Sequence, residues 1–204
     1  MSSNYTVAAI DCGTNSIRLL IASAGPDGRL VEQARDLELV RLGQGVDATG
    51  SFHPDALERT FSACRTFAKT ISDHHCDQVR FVSTSVARDV SNRDDFFTGV
   101  RDALDVDAEI IDGTEEASLS FAGAMSGVQV TDEPVLVIDC GGGSTELVLG
   151  YGTTIDSQAS LEVGSVRLRE RFLHDDPPTA EQIDDARKYV REALGSCLVD
   201  VAAA

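Results

Sequence analysis

Apolar positions keep one rhythm near the start of the chain and another beyond residue 53. Val7-Ala-Ala-Ile-Asp11 is an apolar run that ends in an aspartate and a glycine turn, and a second run, Ile17 to Ala22, follows at once. Gly25-Pro-Asp-Gly28 is a turn signal, and Leu30 to Leu42 reads as a third extended element with charges interleaved. Three strands joined by tight turns predict a meander. From His53 the period lengthens. Pro54 suits a first helical position, Asp55 and Glu58 follow in the opening turn, and Leu57, Phe61, Cys64, Ala68 and Ile71 recur at helical spacing. Gln78 to Ser83 predicts a short strand. A second helix starts after Asn92, with Asp95 three residues on, and carries Phe96, Val100 and Leu104. Asp107 to Ile111 reads as another strand, and a third helix runs from near Thr114 to Met125.

The pattern then restarts. Val135-Leu-Val-Ile-Asp139 leads into a glycine turn and a second apolar run, Glu146 to Leu149. Gly150-Tyr-Gly152 is a turn, and Thr153 to Leu161 reads as the next strand. Thr179 with Gln182 forms a capping box for a helix carrying Ile183, Ala186, Val190, Leu194 and Cys197, after which the chain reaches Val201-Ala-Ala-Ala204. Ala8 to Ala22 (AAIDCGTNSIRLLIA) and Leu136 to Gly150 (LVIDCGGGSTELVLG) share one plan: apolar strand, Asp-Cys-Gly, small polar loop, apolar strand. Such a repeat predicts two related halves facing each other.

Charge and cysteine usage narrow the function. A formal net charge of −17 over 204 residues, with Lys69 and Lys188 the only lysines, repels nucleic acid and anionic lipid. Solubility or host coding bias accounts for that excess without a functional role. Any site for a polyanion must therefore carry its own metal, arginines and backbone N–H groups. The five cysteines include no C-x-x-C pair, and the four histidines show no ligand spacing to them, which speaks against a zinc site. Met1 to Thr6 is polar with no apolar signal core, and no apolar run has bilayer length, so the expected location is the cytosol, with no membrane and no nucleic acid as partner.

The candidate chemistry lies in the repeated loops. In Asp139-Cys-Gly-Gly-Gly-Ser-Thr-Glu146, successive glycines let several N–H groups converge on one phosphate, Ser144 and Thr145 add hydroxyls, and Asp139 and Glu146 are hard oxygen ligands suited to magnesium. Asp11-Cys-Gly-Thr-Asn-Ser16 repeats the arrangement with a single glycine. Opposed hairpins of this kind grip phosphate in the actin, Hsp70 and sugar-kinase superfamily, so the loops alone leave kinase, chaperone and phosphatase open. Glu115 and Glu116 open a helix, where acidic residues also serve as plain dipole partners.

Taken together, these segments resemble the exopolyphosphatase/guanosine pentaphosphatase family, in particular its short actinobacterial type. Ile110-Ile-Asp-Gly-Thr-Glu-Glu-Ala117 resembles its G-x-E-E-A segment. Ser83-Thr-Ser-Val-Ala-Arg88 with Asn92-Arg93 resembles the element that supplies an arginine to the phosphate chain, and Arg41-Leu-Gly-Gln-Gly45 also fits. The likeness runs from about Val7 to Ser196.

The resemblance implies a magnesium-dependent hydrolase of phosphoanhydride bonds. Its expected substrate is inorganic polyphosphate, with guanosine pentaphosphate the alternative. A non-catalytic phosphate or alarmone sensor and an ATP-dependent kinase are the other readings. Glu116 matches the catalytic base. Asp11, Asp139 and Glu146 match metal-holding positions. Gly13, Thr14, Asn15, Ser16, Arg88, Gly141, Gly142, Gly143, Ser144 and Thr145 match the phosphate grip. The implied fold is α/β, actin-like and ribonuclease H-like. Residues 1–125 would form domain I, a mixed five-stranded sheet with helices on both faces, and residues 126–204 the first part of domain II. An incomplete second domain would leave a sheet edge and an apolar face exposed. Homodimers are common in the family.

Overall fold

A computed structural model describes residues 5–25, 29–88, 90–128 and 133–201, so most of the turn expected at 25–28 and the last three residues lie outside the description. The chain divides into two compact units, residues 1–110 and 111–204.

In the first unit, β1 (Thr6–Cys12), β2 (Ser16–Ala24) and β3 (Leu30–Leu39) form the antiparallel meander, and β4 (Gln78–Ser83) and β5 (Ala108–Ile110) extend it in parallel. The sheet order is β3-β2-β1-β4-β5. Between these strands lie α1 (Val46–Thr49), α2 (Pro54–Asp73), a 3-10 turn at Ser85–Ala87, and α3 (Arg93–Leu104). Strand alternation sends Ala8, Ile10 and Cys12, then Ile17, Leu19 and Ile21, then Phe81, to one face, where they join Cys64 and Phe67 of α2 and Phe96 and Val100 of α3 in a single core. Helices on both faces were expected. Instead α2 and α3 pack against each other and share this face, while Ala9 and Arg18 on the opposite face are exposed within the unit.

Helix α2 starts as its sequence predicts: His53 caps it, its side chain accepting from the Asp55 amide, and Pro54 follows. Its buried stripe is Ala56, Leu57, Thr60, Ala63, Cys64 and Phe67, with Phe61 and Ile71 on the flank. Asn92 precedes α3 without capping it. Its side chain accepts from the Phe52 amide (2.8 Å) and donates to the Phe52 carbonyl (3.1 Å), tying α3 to the loop before α2.

In the second unit, α4 (Gly113–Met125) is followed by the antiparallel sheet β6 (Pro134–Cys140), β7 (Thr145–Tyr151) and β8 (Thr154–Leu161), then α5 (Ser165–Arg171) and α6 (Ala180–Val201). The units divide earlier than the 125/126 boundary expected from sequence. The reason is that α4 lays Ala117, Phe121 and Met125 on Val135, Val137, Val148 and Ile155 of this sheet. The capping box at α6 forms reciprocally: the Gln182 amide donates to Thr179 Oγ1 (3.2 Å) and the Thr179 amide to Gln182 Oε1 (3.3 Å). Helix α5 was not foreseen. Among the described residues β6 is an edge strand, and on the face turned away from α4 it exposes Leu136 (49%) and Ile138 (57%).

Candidate active site

Both hairpin loops are closed by the same bond. The Gly13 amide donates to Ser16 O (3.0 Å) in the first, and the Gly141 amide to Ser144 O (2.9 Å) in the second. Those two amides are thus internal to their turns and do not face a ligand. The described positive-φ glycines are Gly45, Gly50 and Gly152, so Gly141, Gly142 and Gly143 are not there to supply a left-handed turn. What they permit is close approach.

Behind the second loop stands α5. Gly141 O accepts from the Ser165 amide (3.0 Å), Gly142 O from the amides of Val166 (2.9 Å) and Arg167 (3.2 Å), and Gly143 O from Arg167 Nε (3.0 Å). A trans peptide points its carbonyl and its N–H in opposite directions. Three successive carbonyls drawn to α5 therefore turn the amides of Gly142, Gly143 and Ser144 the other way; of these residues Gly143 and Ser144 are buried and Gly142 is half-buried. Gly164, the residue before α5, makes this contact possible, since a Cβ there would lie 2.3 Å from Gly142 C and O.

The first loop is backed in the same manner. Thr14 O accepts from the Gly43 amide (2.8 Å), and Asn15 O from the amides of Val40 (3.1 Å) and Arg41 (2.9 Å), which turns the amides of Asn15 and Ser16 outward. A Cβ on Gly43 would lie 2.3 Å from Thr14 Cγ2. The repeat thus extends past the hairpins: Val40-Arg-Leu-Gly43 and Leu161-Glu-Val-Gly164 each carry the chain out of a third strand to a glycine packed against a loop. Aligning those two segments was the sequence signal that could have revealed Gly164 and the residues behind it.

The remaining first-unit candidates surround that loop. Parallel pairing sets Asp11 beside Val82 and Cys12 beside Ser83. Ser83 Oγ donates to Cys12 O (3.0 Å), and Arg88 closes the 3-10 turn that leaves the end of β4. Asp11 pairs with Arg18 at 3.5 Å, both well exposed. Thr14 is buried.

The carboxylates of the second unit form their own group. Asp139 and Glu146 are direct cross-strand partners on the face covered by α4, and Ser160 continues the row on β8. Glu146 is 1% exposed and its Oε1 accepts from Ser160 Oγ at 2.8 Å. Asp139 is exposed, and its Oδ2 accepts from Ser120 Oγ at 2.5 Å. Ser120 lies four residues after Glu116 on α4, so the two share a helical face and Glu116 belongs to the same neighbourhood. Asp112 caps α4 by accepting from the Glu115 amide (2.8 Å), which fixes the helix start and hence the position of Glu116. Ser120, Ser160 and Arg167 were missed from sequence, because serines and an arginine on amphipathic elements carry no local signal of their partner.

Thr145 departs from expectation. Its hydroxyl donates to Val163 O at 2.6 Å, which commits its only proton to the brace and leaves none for a phosphate. Among the described residues no three His, Cys, Asp or Glu side chains converge into a metal cage. Magnesium does not require one, since it binds through one or two carboxylates together with water and substrate phosphate. Asp139 and Glu146 fit that pattern.

The two halves share a strand-loop-strand hairpin, and the second sets its loop beside a cross-strand carboxylate pair. Residues 23–204 match the Ppx/GppA phosphatase family, and the chain belongs to that family. It is 50% identical over 200 residues to exopolyphosphatase 2 of Mycobacterium tuberculosis, covering 94% of this chain and 62% of that protein. The solved structure of an exopolyphosphatase-like protein superposes with a TM-score of 0.90 at 48% identity, over 96% of this chain and 62% of the other. An exopolyphosphatase from Cytophaga hutchinsonii gives 0.87 at 30% identity, over 93% and 60%. The chain therefore spans about 62% of the length of exopolyphosphatase 2. The fold is the actin-like α/β fold of these phosphatases, its second repeat present here as a three-stranded sheet. None of the described helices is long and apolar enough to cross a membrane.

Proposed function

We propose that this chain carries the phosphate grip and the water-activating carboxylate of a magnesium-dependent exopolyphosphatase, which hydrolyses the terminal phosphoanhydride bond of inorganic polyphosphate and releases orthophosphate. The observation that carries this reading is the alignment of three successive loop carbonyls on α5, which fixes the loop peptides beside the cross-strand pair Asp139 and Glu146 and so aims the amides of Gly142 and Gly143 away from the helix. Those amides stabilise charge on the phosphoryl oxygens as it develops. Asn15, Ser16 and Arg88 keep the phosphate-binding role that the family resemblance assigns them.

Glu116 is the general base. It takes a proton from water as the water oxygen bonds to the terminal phosphorus and the bond from phosphorus to the bridging oxygen breaks in line. Asp139 and Glu146 would hold magnesium, whose charge when bound offsets that of the phosphoryl oxygens. Ser120 and Ser160 fix one oxygen of each carboxylate. Asp11 pairs with Arg18 through one carboxylate oxygen at 3.5 Å, an exposed contact that is a weak restraint on its holding a metal. We place the activity in the cytosol, where five free cysteines, Cys140 among them exposed, stay reduced.

The test is orthophosphate release from long-chain polyphosphate with and without magnesium, beside guanosine pentaphosphate as competing substrate. Magnesium-dependent release that favours polyphosphate is the expected result. Preference for guanosine pentaphosphate would reassign the substrate, and binding of polyphosphate without release would make the chain a sensor.

A further inference from the structure

We infer that Arg167 is a positioning residue of the phosphate loop, acting through its hydrogen bond to Gly143 O rather than through attraction of its charge to the ligand. This rests on the phosphate-binding reading of that loop. Three observations meet at this side chain. Its Nε donates to Gly143 O at 3.0 Å, and its own amide donates to Gly142 O at 3.2 Å, so one residue holds two successive peptides of the loop. The side chain is 17% exposed, and its guanidinium faces Glu162 at 3.7 Å, which offsets its charge locally. The Gly143–Ser144 peptide it holds is the one whose N–H, by planarity, points toward the ligand side.

The other two carbonyls are held by backbone amides, of Ser165, Val166 and Arg167, with Ser165 Oγ a longer second donor to Gly141 O (3.4 Å). Gly143 O is the exception. It is held by a side chain, so the orientation of the Ser144 amide is the part of the grip that a single substitution can release. The first loop has no counterpart, because Thr14 O and Asn15 O are both held by backbone amides. Helix α5 is not itself an anion site here, since its leading amides are given to the loop carbonyls.

The test uses two variants that differ in one respect. Gln carries its amide nitrogen the same number of bonds from the backbone as Arg carries Nε, so R167Q keeps a donor for Gly143 O and loses the charge. R167M keeps the apolar stem and loses both. Backbone amide NMR signals of Gly142, Gly143 and Ser144 are recorded in wild type and in both variants, then followed as inorganic phosphate is added. Expected are wild-type loop signals for R167Q with phosphate affinity within about twofold. For R167M, displaced or broadened loop signals and about tenfold weaker binding are expected, the size of one lost hydrogen bond to a buried acceptor. R167M with wild-type loop signals would overturn the inference. So would an R167Q that loses as much affinity as R167M while its loop signals stay in place, because charge would then be the agent. Wild-type amides that ignore phosphate would overturn the phosphate reading instead, whatever the variants show.

Discussion

The close approach of Gly164 to the phosphate loop gives the account its sharpest mechanical test. An added Cβ would sit 2.3 Å from Gly142 C and O and 2.5 Å from Gly143 N, all backbone atoms. Ordinary carbon contacts begin near roughly 3.5 Å, so in Gly164→Ala the loop and α5 must part by about 1 Å. Gly164 has φ −149°, which alanine adopts freely, so the effect is one of contact and not of backbone strain. Overpacking of this kind destabilises by about 1–3 kcal/mol. The larger expected effect is functional: a shift of that size in groups that hold a reacting phosphoryl lowers kcat/KM by about a hundredfold. Two comparisons isolate the cause. In Gly43→Ala the close atom, at 2.3 Å, is the Thr14 Cγ2 methyl, which can turn aside, so a smaller loss is expected. In Gly123→Ala, an exposed position on α4, the new methyl meets nothing within 4 Å, and stability should rise by about 0.5–1 kcal/mol. Phosphate release from polyphosphate and thermal melting of the three variants are the assays. A Gly164→Ala chain with kcat/KM within about twofold of wild type would refute the brace.

Two further outcomes are expected. Thr179→Ala removes the hydroxyl that receives the Gln182 amide and should lower stability by about 1 kcal/mol, read in the melting curve, without changing the kinetics of phosphate release. Burial pushes the Cys64 thiol from 9.0 up to about 12, and burial first, then Cys64 and Asp11, raises Cys12 well above its ordinary value. Raised thiols favour the protonated fold, so their contribution is fully present below pH 9 and is lost as pH climbs toward about 12, where the unfolded chain has released those protons and the native chain has not. Denaturant melts across that range should show stability falling with pH. A thiol reagent should label exposed Cys140 in the native protein and reach Cys12 and Cys64 only on unfolding.

Much of this was legible in the chain because local rules and tertiary demands agree. Pro54 after His53 starts a helix wherever it occurs, and the Thr179–Gln182 box needs only its own two side chains. The repeated Asp-Cys-Gly hairpins announced themselves because each strand and its loop are contiguous in sequence. Where partners are distant, the sequence was silent. Asn92 reads as a cap but serves Phe52, and Thr145 reads as a phosphate donor but bonds Val163 O. Nothing local in Ser120, Ser160 or Arg167 says which carboxylate or carbonyl it meets. The single-sided packing of the first sheet was hidden for the same reason, since α4 carries the periodicity of a core helix without stating which sheet it covers.

The measurement that bears most directly on the central claim is single-turnover phosphate release from polyphosphate by Glu116→Gln in magnesium, with substrate affinity measured beside it. A general base acting on water predicts a rate about a hundred- to ten-thousandfold below wild type, with affinity nearly unchanged because the loop amides are untouched. Release within tenfold of wild type would show that Glu116 is not the base and would contradict the mechanism.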